Sequence, residues 1–167
     1  GVDTLIKAVP LIIQRHRDAK ILIAGDGWSR TYLEELAKSM GLGDHVRFLG
    51  FISDWELADL MVAADVLVVP SVYEPFGIVA LEGMAAGTPV VATNIGGLSE
   101  IIEHDKTGVL VYPRNPESIA WGVNRVLSDH KYADWLVRNA RKKVLEAYSW
   151  EEIAKRTVEV YESASKV

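Results

Sequence analysis

The sequence predicts a doubly wound α/β domain, in which helices cover both faces of a parallel sheet. Short runs of β-branched and aliphatic residues alternate with longer segments of helical periodicity. The apolar runs are almost uninterrupted, as expected for strands buried on both faces, and turn residues follow them. After the run that ends at Tyr112, the chain shows helical patterns alone. We therefore expect a parallel sheet with a helical C-terminus.

Length and composition predict one domain covering residues 1–167. The 167 residues are 49% hydrophobic and 25% charged, which is ordinary for a globular protein. A net charge of -5 argues against a nucleic-acid-binding surface. No apolar run reaches the roughly 20 residues of a membrane span and no signal peptide opens the chain, so the cytoplasm is the expected location.

The composition also argues against a metal centre. The absence of cysteine excludes disulfides and thiolate ligands. The histidines share no ligand spacing, and no serine stands in a nucleophile elbow. We expect no bound metal.

The first 65 residues predict three helices and two strands. Apolar positions from Val2 recur with helical spacing to about Arg17, with a kink expected at Pro10. Ser53 or Asp54 is predicted to cap the third helix. The predicted helices are 2–17, 32–40 and 55–63, and the predicted strands are 20–24 and 46–49.

The rest of the chain predicts three strands and five helices. Gly87 is expected to end the first of these helices, which begins at Gly77 or Ile78. Pro116 is expected to begin a later one. The predicted strands are 66–69, 90–92 and 109–112, and the predicted helices are 78–86, 98–103, 116–127, 132–148 and 151–164.

Two turns, at residues 70–77 and 93–97, carry the candidate site. Each follows a predicted strand at the edge where ligands bind in open parallel sheets. Each also precedes a helix N-terminus, where unpaired N–H groups and the helix dipole attract anions. Gly77 is expected to let a ligand approach the backbone, and Gly96 and Gly97 to adopt the positive φ angles of an anion nest.

Two carboxylates accompany these turns. Glu74 lies on the first turn and Glu82 about one turn into the following helix, so both are expected to face one pocket mouth. A carboxylate accepts hydrogen bonds from hydroxyl pairs such as those of a sugar or a ribose. The pattern predicts that backbone amides bind a diphosphate, and that one carboxylate on each side of it binds hydroxyl groups of a sugar or ribose.

The segment GDGWSR is a weaker signal. It contains the first two glycines of a dinucleotide fingerprint, Gly25 and Gly27, but Arg30 stands where the third belongs. The segment is explained by a tight turn between a strand and a helix. The alternative is that it lines a nucleotide pocket. The missing glycine makes a dehydrogenase the least favoured enzyme class.

The motif from Glu74 to Glu82, EPFGIVALE, followed by PVVATNIGGLSEII, resembles the C-terminal domain of retaining GT-B glycosyltransferases. The nearest similarity is to the large family four, the group 1 enzymes, which includes glycogen-synthase-like members. The segments GVDTLIKA, IAGDG, VRFLGF, TGVLV and SWEEIA extend the resemblance over nearly the whole chain. It implies a Rossmann-like donor-binding domain.

The resemblance also implies a role for each site residue. Glu74 would be the catalytic-site acid that bonds hydroxyls of the donor sugar, and Glu82 would take the ribose hydroxyls. Backbone amides at the start of the central helix would hold the diphosphate, and other turns would line the pocket. These further positions are Gly77, Ile78 and Val79 for the diphosphate, Phe51 and Ile52 beside the base, Gly25 and Gly27 on the same side, and Asn94, Gly96 and Gly97 beside the phosphates or sugar.

The implied reaction is transfer of a hexosyl unit, with retention, from an ADP-, UDP- or GDP-sugar to a sugar, glucan or other acceptor. Charge develops on the leaving diphosphate, and preorganised amides can stabilise it without a metal or cofactor. In the family, a strand ending in an arginine, followed closely by a lysine, comes before the position of Gly1 and is central in the sheet. We therefore expect a sheet lacking this strand and its two cations.

The chain is accordingly expected to be the donor half of a two-domain enzyme, with the acceptor bound by a missing N-terminal domain. Alone it is expected to bind a donor weakly at best and to be inactive. Peripheral membrane association through that domain is left open. Two alternatives remain: a nucleotide-sugar 2-epimerase of GT-B fold, and a non-catalytic nucleotide-sugar-binding module. Detection of an epimerised sugar without acceptor would favour the first, and an unrelated upstream segment the second.

Overall fold

A computed structural model describes residues 1–165 and confirms the predicted α/β class. The last two positions of the predicted domain, 166–167, lie outside the described residues. In the described part, no helix is both long and apolar enough to cross a membrane. The strands are β1 (Ile21–Ala24), β2 (Val46–Gly50), β3 (Leu67–Val69), β4 (Val90–Thr93) and β5 (Val109–Val111). The helices are α1 (Val2–Ile13), α2 (Arg30–Ser39), α3 (Asp54–Ala63), α4 (Ile78–Ala86), α5 (Gly96–Ile101), α6 (Pro116–Ser128), α7 (His130–Ala147) and α8 (Trp150–Ala164).

The strands form two parallel sheets, one of order β1–β2 and one of order β3–β4–β5. Ile21 pairs with Val46 in the first sheet, and Val91 pairs with Val109 in the second. No strand joins the two sheets within residues 1–165, which agrees with the expectation that a central strand is missing.

Strand β4 shows that helices cover both faces of its sheet. All four of its residues are buried. The side chain of Val91 packs in a core with residues of α1 and α6, whereas those of Val90 and Ala92 pack in a second core with residues of α4 and α5. Because successive side chains of a strand point to opposite faces, this alternation makes the domain doubly wound.

Helix boundaries depart from the predictions by two residues or more in four helices. Helix α1 ends at Ile13 instead of about Arg17, because the amide of Arg15 turns back to the carbonyl of Ile12 at 3.0 Å. Helices α2 and α7 begin at Arg30 and His130, each two residues before its predicted start. Helix α5 runs over Gly96–Ile101 instead of 98–103. Both glycines of the second predicted turn therefore belong to the first turn of α5.

Helix α4 is short and held between two left-handed glycines. Gly77 at its N-terminus has φ 105° and Gly87 at its C-terminus has φ 87°. Glycine adopts these angles without steric cost, which explains why the helix begins and ends as predicted. Ala80, Gly83 and Met84 are buried, and an added Cβ at Gly83 would contact Leu67 at 2.4 Å. The helix is thereby fixed directly against β3.

Candidate functional site

The two predicted turns pack against each other through their backbones. The amide of Gly97 donates to the carbonyl of Glu74 at 3.1 Å. A Cβ at Gly96 would lie 2.1 Å from the Glu74 carbonyl oxygen, and a Cβ at Gly97 would lie 2.1 Å from that of Phe76. No side chain fits at such distances, so the glycine pair is what lets the turns meet. The structure thus brings together residues 74–77 and 94–97, as the sequence predicts.

The expected anion nest at Gly96 and Gly97 is corrected in one respect. Gly96 has a positive φ of 44°, but Gly97 does not share it. Gly97 is buried within α5, and its amide is already bonded to Glu74. Its function is to fasten the turns, so this N–H is not available to a ligand.

The N-terminus of α4 offers three amides. The carbonyl of Gly77 accepts from Ala80 at 3.0 Å and from Leu81 at 3.4 Å. The amides of Gly77, Ile78 and Val79 themselves donate no hydrogen bond within residues 1–165. No side chain caps this helix, and Ile78 and Val79 are exposed. Unpaired N–H groups with the positive end of a helix dipole make an anion-accepting end.

The reason for glycine at position 77 differs from the predicted one. An added Cβ would point into the core, 2.8 Å from Leu98 Cδ2 and 3.3 Å from Ile101 Cδ1. The missing side chain therefore makes room for α5, not for a ligand. A valine here would strain the positive φ and the packing, so Gly77→Val would not isolate an effect on ligand binding.

Glu74 is positioned by hydrogen bonds that connect its turn to β4. Its Oε2 accepts from the hydroxyl of Ser71 at 3.3 Å, and the Thr93 hydroxyl donates to the carbonyl of Ser71 at 2.6 Å. Glu74 is half-buried. Sequence reasoning missed Ser71 and Thr93, although hydroxyl residues at the ends of adjacent parallel strands were a signal for such a bridge.

Glu82 is exposed and four residues from Ile78, so the two lie on one face of α4. Its carboxylate forms no ion pair and no hydrogen bond in the part of the chain described. The side chain is therefore available to a ligand. That Glu74 and Glu82 share one pocket mouth stays a prediction.

The turns after β1 and β2 lie side by side, as the resemblance implies. Gly25 has φ 109°, and its amide donates to the carbonyl of Gly50 at 2.8 Å. Arg30 braces this pair: its Nη1 lies 3.3 Å from an oxygen of Asp26 and 3.0 Å from the Cβ position of Gly50. The sequence showed Arg30 as a departure from a fingerprint, although its i,i+4 spacing from Asp26 predicts the ion pair.

The remaining predicted lining residues lie in turns that follow their own strands. Phe51 is exposed and Ile52 is half-buried directly after β2. The amide of Asn94, at the end of β4, donates to the carbonyl of Val111 at 2.8 Å, and Asn94 is exposed. Gly27 is exposed, and an added Cβ there would contact nothing within 4 Å.

Two cavities of about 310 and 530 Å³ lie away from these turns. The smaller lies between α2 and β2, and the larger between α1 and α6. Neither is lined by Glu74 or Glu82. Within residues 1–165, no three potential metal-ligating side chains cluster together. The candidate site is thus formed by exposed turns and not by a closed cavity. The protein is a doubly wound α/β domain in which the N-terminus of α4 can accept an anion.

The family of this chain is identified by its similarity to known protein families. The family described as glycosyl transferases group 1 matches residues 1–143. The chain therefore belongs to the group 1 glycosyltransferases. This confirms the resemblance drawn from the motif between Glu74 and Glu82.

Individual proteins similar to this chain support the same family. The chain is 56% identical, over its whole length, to an uncharacterized glycosyltransferase of Methanocaldococcus jannaschii, of which it covers 43%. It is 39% identical over 99% of its length to the glycogen synthase of Mycobacterium tuberculosis, of which it covers 40%. The chain thus spans about two fifths of the length of these relatives.

A solved structure shows the same fold. Anabaena HepE, determined in complex with UDP and glucose, superposes with a TM-score of 0.86 at 30% identity. The match covers 96% of this chain and 44% of HepE. The predicted GT-B-type α/β domain is therefore confirmed.

Proposed function

We propose that this chain binds the nucleoside-diphosphate sugar donor of a retaining hexosyltransferase. The proposal depends on one observation: at the N-terminus of α4, the amides of Gly77, Ile78 and Val79 are unpaired within residues 1–165. The similarity to HepE, which was solved with UDP and glucose, supports a nucleotide-sugar ligand. The acceptor carbohydrate would bind a further domain, and the chain would be one donor-binding domain with the cytoplasm as its expected location.

In this proposal the diphosphate lies at the start of α4. The two acids grip hydroxyls on either side of it: Glu74 those of the transferred sugar, and Glu82 those of the ribose. A carboxylate with no partner of its own, such as that of Glu82, is suited to this. The pocket would be completed by Gly25, Gly27, Phe51 and Ile52 towards the base and by Asn94 and Gly96 towards the phosphates.

The residues act on the charge that develops during transfer. When the bond between the anomeric carbon and the phosphate oxygen breaks, its electron pair moves to the departing diphosphate. Amides held in place by α4 stabilise that charge without reorganising, and the helix dipole adds to the effect. Glu74, held by Ser71, orients the sugar hydroxyls. We expect this chemistry to need neither a metal nor a cofactor.

A pair of substitutions at Val79 tests the diphosphate position. Val79 is exposed in the first turn of α4, so Val79→Asp places a negative charge where the diphosphate is expected. An acid in the first helical turn is favourable by about 0.3–1 kcal/mol, so the fold should persist. Val79→Asn is the uncharged control. Calorimetric titration with UDP-glucose, ADP-glucose and GDP-mannose should show binding to the unmodified chain and to Val79→Asn, with severe loss in Val79→Asp.

Glu82→Gln tests the ribose contact. We expect donor affinity to fall by about 1–3 kcal/mol, the range for a charge-assisted hydrogen bond. Glu35→Gln, at an exposed site on α2, is the control and should bind as the unmodified chain does. If none of the three nucleotide sugars binds, or if Glu82→Gln and Val79→Asp both bind normally, the proposed site is wrong.

A further inference from the structure

The larger of the two cavities described above is a groove between α1 and α6. Its volume is about 530 Å³, within the roughly 300–1,000 Å³ typical of small-molecule sites. Its polar and aromatic lining comes from Gln14, Arg15, Glu117, Trp121, Asn124 and Arg125. None of these residues belongs to the predicted donor site.

The groove is elongated along α6. Glu117, Trp121, Asn124 and Ser128 line it at spacings of three or four residues, so they share one face of the helix. Eleven residues separate the first from the last, which corresponds to about 16 Å along the axis. This length favours a linear ligand of several linked units.

The charges of the lining balance. Arg15 and Arg125 are matched by the carboxylates of Glu117 and Asp129. Arg125 is further neutralised by Asp105, whose Oδ1 lies 2.8 Å from its Nη1. A phosphate or carboxylate ligand would gain little net attraction here. The balance favours an uncharged ligand.

Several polar groups in the groove are left without partners. Asn124 is 7% exposed, and its Nδ2 donates to the carbonyl of Leu11 at 3.3 Å, but its Oδ1 has no donor within residues 1–165. This oxygen is closed to solvent, so contacts with a ligand come from the exposed side chains of the lining. In the same described range, the side chains of Gln14, Arg15 and Glu117 form no hydrogen bond or ion pair. These planar groups suit hydroxyl pairs.

Trp121 adds an aromatic surface. The guanidinium of Arg125 covers one part of its ring system, with Cζ 5.3 Å from the ring centroid. The side chain is nevertheless 47% exposed. A half-exposed indole beside hydroxyl-binding groups provides an apolar contact for the C–H face of a pyranose ring.

We propose that this groove binds a short neutral oligosaccharide. The elongated shape, the balanced charge, the unpaired planar groups and the indole together specify linked pyranose units and disfavour an anion. The site is separate from the donor edge. Its function would be to hold a sugar chain on the flank of the domain, whatever nucleotide the other site binds.

The test is calorimetric titration of the full chain with maltotriose, and with glucose as the single-unit probe. We expect saturable binding of maltotriose and much weaker binding of glucose. The double variant Arg15→Ala/Glu117→Ala should bind maltotriose at least about tenfold more weakly, because both side chains line the groove and neither forms a hydrogen bond or ion pair within residues 1–165. The control Glu35→Ala/Arg138→Ala removes one charge of each sign outside the groove and should bind normally.

Three results would overturn the proposal: no saturable maltotriose binding, equal affinity in the double variant, or displacement of maltotriose by inorganic phosphate. UDP-glucose is titrated in parallel. Loss of the proposed donor function would appear as absent UDP-glucose binding with maltotriose binding intact, so the two proposals fail separately.

Discussion

Two edges of this domain are held together in different ways. At the carboxyl ends of the strands, residues 74–77 and 94–97 meet through their backbones, with the Gly97 amide bonded to the Glu74 carbonyl. At the amino ends, the loop between α5 and β5 is held by charged side chains. There Asp105 accepts from Tyr132 at 2.6 Å and pairs with Arg125 at 2.8 Å.

The difference shows what each construction permits. The hydrogen bond between the Gly97 amide and the Glu74 carbonyl involves no titratable group, and it leaves the nearby amides of α4 unpaired within residues 1–165. Such close backbone contact leaves no room for a side chain at Gly96 or Gly97. Side-chain contacts tolerate substitution, because a shorter or neutral group leaves the loop backbone in place. Their strength depends on pH and salt. The first construction would suit the phosphate binding that we propose for this edge.

The largest effect is expected from Gly97→Ala. Its Cβ would lie 2.1 Å from the Phe76 carbonyl oxygen, so the two turns must separate. We expect the free energy of unfolding, measured by urea denaturation, to fall by about 3 kcal/mol or more. Gly27→Ala is the matched control, since nothing lies within 4 Å of its Cβ position, and it should change stability by no more than about 0.5 kcal/mol. If Gly97→Ala and Gly27→Ala lowered the free energy of unfolding equally, close backbone contact would not be what holds the two turns together.

A medium effect is expected from Asp105→Asn. Burial alone raises the pKa of Asp105, but hydrogen bonds from Tyr132 and Arg125 outweigh it and hold the pKa below its usual 3.8. Asparagine tolerates the φ of 62° at this position, so the change removes mainly the charge. Allowing for solvent screening of a partly exposed carboxylate, we expect a loss of about 1 kcal/mol at neutral pH.

The pH dependence follows from the sign of that shift. Because the folded pKa is lower than the unfolded one, the carboxylate contributes its full stabilisation above pH 3.8 and loses it as the pH falls through the folded pKa. The stability of the unmodified chain should therefore approach that of Asp105→Asn in acid. A difference that stays constant down to low pH would contradict the role of this carboxylate.

The smallest effect is expected from Glu103→Gln. Glu103 pairs with Lys106 at 2.7 Å and with Lys143 at 3.0 Å, but its side chain is 46% exposed. Exposed ion pairs contribute little, so we expect a loss within about 0.5 kcal/mol that shrinks at high salt. Thermal unfolding at low and high salt measures it. A loss larger than that of Asp105→Asn would reverse the order of the two contacts.

Much of the backbone arrangement of the candidate site was predictable from the sequence. The positions of the two turns follow from where the apolar runs end, and the bounds of α4 follow from Gly77 and Gly87. The pairing of Gly97 with Glu74 was not predictable, since the two belong to different strand-to-helix units. The same holds for Gly77, whose missing side chain makes room for Leu98 and not for a ligand.

What the sequence alone determined is therefore local: the order of strands and helices, the start and end of α4, and the acids at positions 74 and 82. These follow from periodicity and from residues that only certain backbone angles accept. Tertiary structure decided which backbones touch, that α1 and α6 enclose a polar groove, and that Asp105 meets Tyr132 across 27 residues. Such contacts depend on how separate elements pack, and no pattern confined to one segment of chain contains that information.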